Sequence, residues 1–448
     1  MNKLAVVICT FNKRDFVLDC IESVLNSDRT DFDIIVVDNA STDGSVDAIK
    51  VKYGEKLTLI AKTENTGGSG GFNSGMQEVL DRGFYKYFIL MDNDITVKND
   101  TISELRDYMD KHDDVGICGS AIFQMENPEI TQEMGAVIRF DELTNKPLYH
   151  QVKADGLPHF VDCDYVPFCS AMIRTDILNE VGLIDTGNFI YWDDMEFCWR
   201  VRKAGYKVHA ISSSVVYHCM SSKQYDTTFG TYYFFRNKLK CFTRHTSESE
   251  FELLPEIITK RLYRSIICNI DNSPVITTYM HALNDALNEV TGKADVYKIQ
   301  PLPTDRNWHE LVRVKSNILI NYDPKCVRIA TLLNEIEELC VAKITIATQG
   351  NELPELELKD ISVIEKKVLN DVYDLEINLC YHVLDLDFTS TSFTEGQTIY
   401  YDAFGNAIAT HEEYDTFKNY ESAYNTFKVM MLSYITEKLR LVREAYNA

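Results

Sequence analysis

The sequence predicts an α/β protein with a mostly parallel central sheet, followed by a helical segment and a smaller α/β module. Three observations predict it. Short continuous apolar runs alternate with stretches of helical spacing through the first 120 residues. Polar residues follow the ends of these runs, and from about Tyr232 the pattern turns helical before strands return. The expected divisions are a first domain at 1–231, a helical extension at 232–293 and an accessory α/β module of unassigned role at 294–448.

Each element has its own reason. Leu4 to Cys9 is an unbroken apolar run, as in a strand covered on both faces. Phe16 to Leu25 repeats apolar residues at helical spacing. Ile34 to Val37, Leu57 to Ala61 and Tyr87 to Met91 read as the next buried strands. Asp43-Gly44 and the run Gly67-Gly68-Ser69-Gly70-Gly71 mark turns between them. In the last section, Ile318 to Asn321, Ile344 to Thr348, Ile361 to Ile364, Leu375 to Tyr381 and Thr398 to Tyr401 read as strands. Cys326 to Cys340 reads as a helix, and a charged helix from about Tyr414 to Tyr446 closes the chain.

Composition narrows the function. With 45 Lys and Arg against 68 Asp and Glu, the formal net charge is −23, which repels nucleic acid on average. No apolar run approaches the roughly 18–20 residues that span a bilayer. The N-terminus reads as a first strand and not as a signal peptide. The 12 cysteines show no CxxC spacing, so reduced, mostly buried thiols in a cytoplasmic protein are expected.

Polar groups gather at the strand ends: Thr10, Asp38, Asn65, Asp92 and Asp94. In open α/β sheets ligands bind beyond the carboxyl ends of the strands, so these residues point to one crevice. Asp92-Asn93-Asp94 leaves a buried strand with two carboxylates at i and i+2, on one side of an extended chain. Such oxygens suit Mg²⁺ or Mn²⁺. His218, at the end of Val215-Val216-Tyr217-His218, matters if it meets Asp94 in space; otherwise it is a structural histidine.

Tyr191-Trp192-Asp193-Asp194-Met195-Glu196 has a plain structural reading. Asp193 would be an N-cap with Glu196 closing a capping box, and Glu196 would pair with Arg200. That leaves the adjacent Asp194, behind a Trp, unexplained. A carboxylate at a helix N-terminus tends to stay ionised, and can act as a general base. The glycine run lacks the endings of a P-loop or dinucleotide fingerprint; it is either a flexible turn or a close backbone approach to a ligand.

Together these motifs resemble glycosyltransferase family 2, the inverting transferases of GT-A fold, over about residues 3–245. The resemblance rests on Thr10-Phe11-Asn12-Lys13, Val36-Val37-Asp38 through Ser45, Asn65 with its glycines, Asp92-Asn93-Asp94, and Trp192-Asp193-Asp194 through Gly205. Within the family the glycine cluster, the Trp-Asp-Asp motif and the downstream His are most similar to bacterial galactofuranosyltransferases. Rhamnosyltransferases share Arg236-Asn237 and Gly292-Lys293. Asn93 stands where the galactofuranosyl pattern would favour Asp.

The resemblance implies a nucleotide-sugar-binding GT-A fold and a role for each motif. Thr10, Arg14, Asp38, Asn65, Gly68 and Asp92 would hold the nucleotide. Asp92, Asp94 and His218 would hold Mn²⁺ or Mg²⁺. Asp194 would deprotonate the acceptor hydroxyl, Asp193 would assist it and orient the acceptor, and Trp192 would also contact the acceptor. The implied partners are a nucleotide-sugar donor and a glycan or lipid-linked acceptor, with no nucleic acid. The implied activity is hexosyl transfer from UDP-galactofuranose, or alternatively from dTDP-rhamnose, in cell-surface polysaccharide synthesis. A non-catalytic nucleotide-sugar-binding scaffold is the rival. A nucleotidyltransferase would need a glycine-rich loop after the first strand, and Thr10-Phe11-Asn12-Lys13 has none. Tyr232 to Lys240 and Lys260 to Arg264 are basic and aromatic, which leaves peripheral contact with the inner face of the plasma membrane open. The plainer reading of both is a docking helix on the core. Homo-oligomer formation is open as well.

Overall fold

The structure, a computed structural model, describes residues 3–219, 226–354, 356, 361–367 and 372–447. The first part alternates β1 (Lys3–Thr10), α1 (Arg14–Leu25), β2 (Phe32–Asp38), α2 (Ser45–Tyr53), β3 (Thr58–Ala61), α3 (Gly67–Arg82) and β4 (Tyr85–Asp92). There follow β5 (Ile95–Val97), α4 (Thr101–Lys111), β6 (Val115–Gln124), β7 (Thr131–Glu133), β8 (Ala136–Arg139), β9 (Thr144–Pro147), β10 (Phe160–Asp162) and β11 (Ser170–Arg174). Then come α5 (Leu178–Val181), α6 (Asp193–Lys203) and β12 (Lys207–His218).

The main sheet runs β10-β12-β6-β11-β4-β1-β2-β3. Strands β3, β2, β1, β4, β6 and β12 share one direction, and β11 lies reversed between β4 and β6. The mostly parallel sheet is therefore as predicted; the reversed β11 is an addition. Alternate residues of β1 feed two cores: Ala5 and Val7 on one face, Leu4, Val6 and Ile8 on the other. Burial on both faces is why these strands read as unbroken apolar runs. One direction also brings Thr10, Asp38, Asp92 and His218 to the same edge.

The glycine run is the first turn of α3, not a loop. A Cβ on Gly71 would lie 2.2 Å from Cys9 Sγ, and one on Gly75 would lie 2.2 Å from Val7 Cγ1. These two glycines, one turn apart, let α3 lie directly on β1. Close approach is real, but at Gly71 and Gly75 it is to a strand.

Four helices follow: α7 (Phe229–His245), α8 (Glu248–Phe251), α9 (Leu254–Ile267) and α10 (Ser273–Leu287). Tyr232, Tyr233, Phe235, Arg236, Asn237 and Lys240 of α7 are all buried. Its aromatic and basic residues pack inward, so this segment is the docking helix of the plainer reading. Among the described residues no helix is long and apolar enough to cross a membrane.

The last section holds α11 (Asn307–Arg313), β13 (Asn317–Asn321), α12 (Ile329–Leu339), β14 (Lys343–Ala347), β15 (Ile361–Ile364), β16 (Leu375–Cys380), β17 (Thr398–Asp402) and β18 (Ala407–Ile408). Its sheet runs β15-β14-β13-β16-β17-β18, parallel except for β18. The closing helix breaks at Asn419 into α13 (His411–Lys418) and α14 (Tyr420–Asn447). Tyr424 packs with this module, whereas Ile435 and Leu439 join the core of the first part, so α14 straps the two together. All 12 cysteines are free, and most are buried, as expected.

Candidate active site

A cavity of about 670 Å³ opens at the carboxyl edge of the main sheet. Thr10, Lys13, Asn65, Gly68 and Asp92 line it, together with Asn39 and Asn93. Asn93 Nδ2 donates to Thr10 Oγ1 at 2.8 Å, tying the end of β4 to the end of β1. Asn39 donates to Asn65 Oδ1 at 3.1 Å and to the Gly67 carbonyl at 2.7 Å, and its own Oδ1 accepts from the Thr66 N–H at 3.1 Å. This network orients the start of α3, and a helix N-terminus is a ready anion site. The Gly67 N–H donates to Asn65 Oδ1 at 2.8 Å and the Ser69 N–H to the Phe189 carbonyl at 3.1 Å. Gly68 stands between them, and a Cβ there would meet nothing within 4 Å, so this glycine faces open space.

Asp38 is fully buried at the end of β2. Its Oδ1 accepts from the Ser41 N–H at 2.8 Å, while its Oδ2 has no partner. An unmatched buried carboxylate oxygen is costly unless a ligand N–H or O–H meets it. Arg14 lies apart from this group. Its side chain pairs with Asp15 at 3.0 Å, half exposed, and its backbone N–H donates to Asp43 Oδ2.

Asp92, Asp94 and His218 come together, with one ligand atom from each lying within 4.8 Å of the others. The topology explains it. β5, directly after Asp94, pairs antiparallel with the end of β12, so His218 sits opposite Ile95. His218 Nε2 is 3.5 Å from Asp94 Oδ1, and its Nδ1 is 2.7 Å from Gln132 Oε1. An Nδ1–H donated to Gln132 leaves Nε2 as a lone-pair donor beside Asp94, the usual supporting arrangement of a metal-binding histidine. Two carboxylates and one imidazole fit Mn²⁺ or Mg²⁺ by donor type. Burial, then the Asp94 charge, raises Asp92 to about 7, which a bound cation would offset. Lys13 Nζ is 3.7 Å from Asp94 Oδ2.

Asp193 and Asp194 open α6. The capping box does not form: the residue before the helix is Trp192, and it makes no side-chain cap. Asp193 Oδ2 accepts instead from Ser69 Oγ at 2.9 Å, joining α6 to α3. Glu196 turns away to Arg200 and His245, so the predicted Glu196–Arg200 pair does form, at 2.8 Å. Burial and then the neighbouring Asp193 charge push the Asp194 carboxyl well above the usual range. Burial and the adjacent carboxylate thus oppose the helix terminus at Asp194, and a cation at Asp92 and Asp94 would act in the other direction.

Trp192 is fully buried, edge-on to Phe234 at 5.6 Å. Direct contact with an acceptor, expected from the sequence, is thereby corrected: the ring is a wedge under the site. Its backbone has φ +65°, Tyr191 has +64° and Phe189 +67°. Left-handed backbone at bulky residues costs roughly 1–2 kcal/mol each. Arg236 and Asn237 hold this segment. Asn237 Nδ2 donates to the carbonyls of Asn188, Ile190 and Tyr191 at 2.8–3.0 Å. Arg236 donates to the carbonyls of Gly187, Asn188 and Gly292. The sequence singled out Arg236-Asn237 and Gly292 only as markers of resemblance; nothing in their spacing reveals that they meet.

Residues 5–182 match the family described as Glycosyl transferase family 2. The chain carries a family 2 glycosyltransferase domain. The matched residues hold Thr10, Asp38, Asn65, Gly68, Asp92 and Asp94, and stop before Asp193, Asp194 and His218. An uncharacterized glycosyltransferase of Haemophilus influenzae is 22% identical over 228 residues, 48% of this chain and 68% of that protein. The galactofuranosyltransferase GlfT2 of Mycobacterium tuberculosis is 24% identical over 214 residues, 44% of this chain and 33% of that one. Among solved structures, S. aureus TarS 1-349 in complex with UDP-GlcNAc aligns at 16% identity with a TM-score of 0.44, covering 64% of this chain and 81% of that one. The family 2 glycosyltransferase domain thus spans under half of the chain, and the match covers only about a third of the mycobacterial enzyme.

Proposed function

We propose that this chain is an inverting, divalent-metal-dependent hexosyltransferase that acts on a glycan or lipid-linked acceptor in bacterial surface-polysaccharide synthesis. The donor of first choice is UDP-galactofuranose. The observation that carries the reading is the meeting of Asp92, Asp94 and His218 at the edge of the cavity. The similarity to GlfT2 favours galactofuranose over the dTDP-rhamnose alternative.

The chain's own residues divide the work. Thr10, Asn39 and Asn65 line the floor on which the nucleotide rests, and Asp38, buried behind them, holds the turn at Ser41 and would meet the nucleotide only if that turn opened. The start of α3, left open by Gly68, takes the diphosphate. Asp92, Asp94 and the Nε2 of His218 would hold the cation, which when bound neutralises the departing diphosphate. Asp194 takes the proton of the acceptor hydroxyl as that oxygen attacks C1 from the face opposite the diphosphate. Asp193, fixed by Ser69, keeps its neighbour's orientation. Holding both substrates in one crevice removes much of the entropic barrier.

The test is nucleotide release by the purified chain with Mn²⁺, across UDP-galactofuranose, other UDP-hexoses and dTDP-rhamnose, with and without a glycan acceptor and with a chelator control. Turnover of UDP-galactofuranose that the chelator abolishes is the expected result. Turnover of dTDP-rhamnose alone would overturn the donor, and chelator-resistant turnover the metal. Metal-dependent nucleotide binding without transfer to any glycan would favour the scaffold reading.

A further inference from the structure

A second cavity, about 920 Å³, lies between the start of α7, the α9–α10 turn and the C-terminal module. It is at the upper end of the roughly 300–1,000 Å³ typical of ligand pockets. Thr227 lines both this cavity and the nucleotide-side cavity, so the two share a wall. Thr227 is fixed there by a β-bridge to Pro301, on the connector to the C-terminal module.

The lining has a definite chemistry. Arg328, Glu335 and Glu338 come from α12 and the residue before it, and Trp308, Tyr401 and Phe404 supply rings. Arg328 Nη2 and Glu335 Oε1 stand 3.9 Å apart, too far to exhaust each other's hydrogen bonds. Two polar atoms of the wall, Arg328 Nε and Asn272 Oδ1, are buried without partners. Phe404 is 56% exposed. Arg306 is engaged by Asp271 and Arg313 by Asp305, while Arg328 bonds the Tyr401 hydroxyl and keeps its Nε without a partner. Two carboxylates beside one guanidinium give no net positive field, so a phosphate-rich ligand is disfavoured. Planar donors and acceptors beside the exposed ring of Phe404, with Trp308 and Tyr401 packed behind, suit a neutral ligand rich in hydroxyls.

We infer that this cavity, walled by Arg328, Glu335 and Phe404 and joined to the donor side at Thr227, binds the distal sugars of the acceptor glycan. The inference rests on the glycosyltransferase reading. It gives the C-terminal module a role, which is to hold the acceptor chain while the acceptor's end reaches the catalytic edge.

The probe is an array of defined neutral bacterial oligosaccharides, two to eight sugars long, read with the labelled full chain in the presence of UDP and Mn²⁺. The expected result is retention of longer glycans over disaccharides, weakened at least tenfold by both Arg328→Ala and Phe404→Ser. Phe404 is exposed on a hairpin, so its variant tests the site without threatening the fold. Calorimetric titration of each variant with UDP reports whether the donor side is still assembled. Equal glycan binding by both variants, or no glycan retained by the wild-type chain, overturns the inference. Competition by inorganic pyrophosphate at this cavity overturns it in favour of an anion site. Absence of UDP binding by the wild-type chain would instead count against the glycosyltransferase reading.

Discussion

Asn237 Nδ2 donates to the Tyr191 carbonyl at 3.0 Å, joining a fully buried helix residue to a backbone held at positive φ. The same amide reaches the carbonyls of Asn188 and Ile190. Removing it leaves three carbonyls without this donor just ahead of Asp193 and Asp194. Asn237→Ala is expected to lower stability by about 1–3 kcal/mol, measured by urea unfolding. Turnover should fall at least tenfold and UDP affinity by a smaller factor, because the segment leads into the proposed base Asp194 and also lends Phe189 and Ile190 to the cavity wall. A proportional loss of both would argue against this division.

Gln132 reaches the proposed cation site through its hydrogen bond with His218 Nδ1. Gln132→Ala should weaken Mn²⁺ binding by about 10–100-fold, read as the Mn²⁺ concentration for half-maximal nucleotide release. Gln132→Glu keeps an acceptor at the same place and should recover most of the affinity. His218→Ala should be worse than either.

The glycines of α3 separate packing from ligand contact. Alanine is the better helix former by roughly 1 kcal/mol, yet Gly75→Ala pushes a methyl to within 2.2 Å of Val7 Cγ1. Overpacking of that kind costs about 1–3 kcal/mol, so thermal melting should show a lower Tm. Gly68→Ala should leave Tm unchanged or raised, because nothing stands near the new methyl. Its cost should appear as weaker UDP binding.

Glu196 is buried with Arg200 and His245. Burial pushes its carboxyl up, but the His245 hydrogen bond and the Arg200 charge outweigh it and hold the group at about 2 against an ordinary 4.5. A depressed carboxylate contributes stability above its unfolded value that is lost as the pH falls from 4.5 towards 2. The contribution is on the order of 3 kcal/mol, at 1.36 kcal/mol per unit. Burial also holds His245 below its ordinary 6.5, so its protonation adds to destabilisation below that pH. Urea midpoints from pH 7 to pH 3 should fall steeply for the wild-type chain and more gently for Glu196→Gln. That variant should be the less stable of the two at pH 7, since it weakens a buried charged pair.

Part of this protein is legible along the chain. The strands β1, β2 and β4 show themselves because burial on both faces demands unbroken apolar runs, and Thr10, Asp38 and Asp92 stand at their carboxyl ends. The reversed β11 is not legible, because Ser170–Arg174 is short and its direction depends on its neighbours. Nor are the roles of Asn39, Gln132 and Lys13: each is a common polar residue whose value lies in what it touches.

The sequence by itself determined the α/β alternation, the crevice edge and the residue types that can bind a cation and take a proton, because periodicity and side-chain chemistry are local properties. Only the tertiary structure decided that His218 meets Asp94, that Trp192 is a buried wedge, and that Arg236 and Asn237 brace the segment before Asp193. The physical reason is that these contacts join residues far apart along the chain, 46 positions for Asn237 and Tyr191 and 56 for Arg236 and Gly292. Strand pairing and helix packing, not spacing, bring such residues within hydrogen-bonding reach.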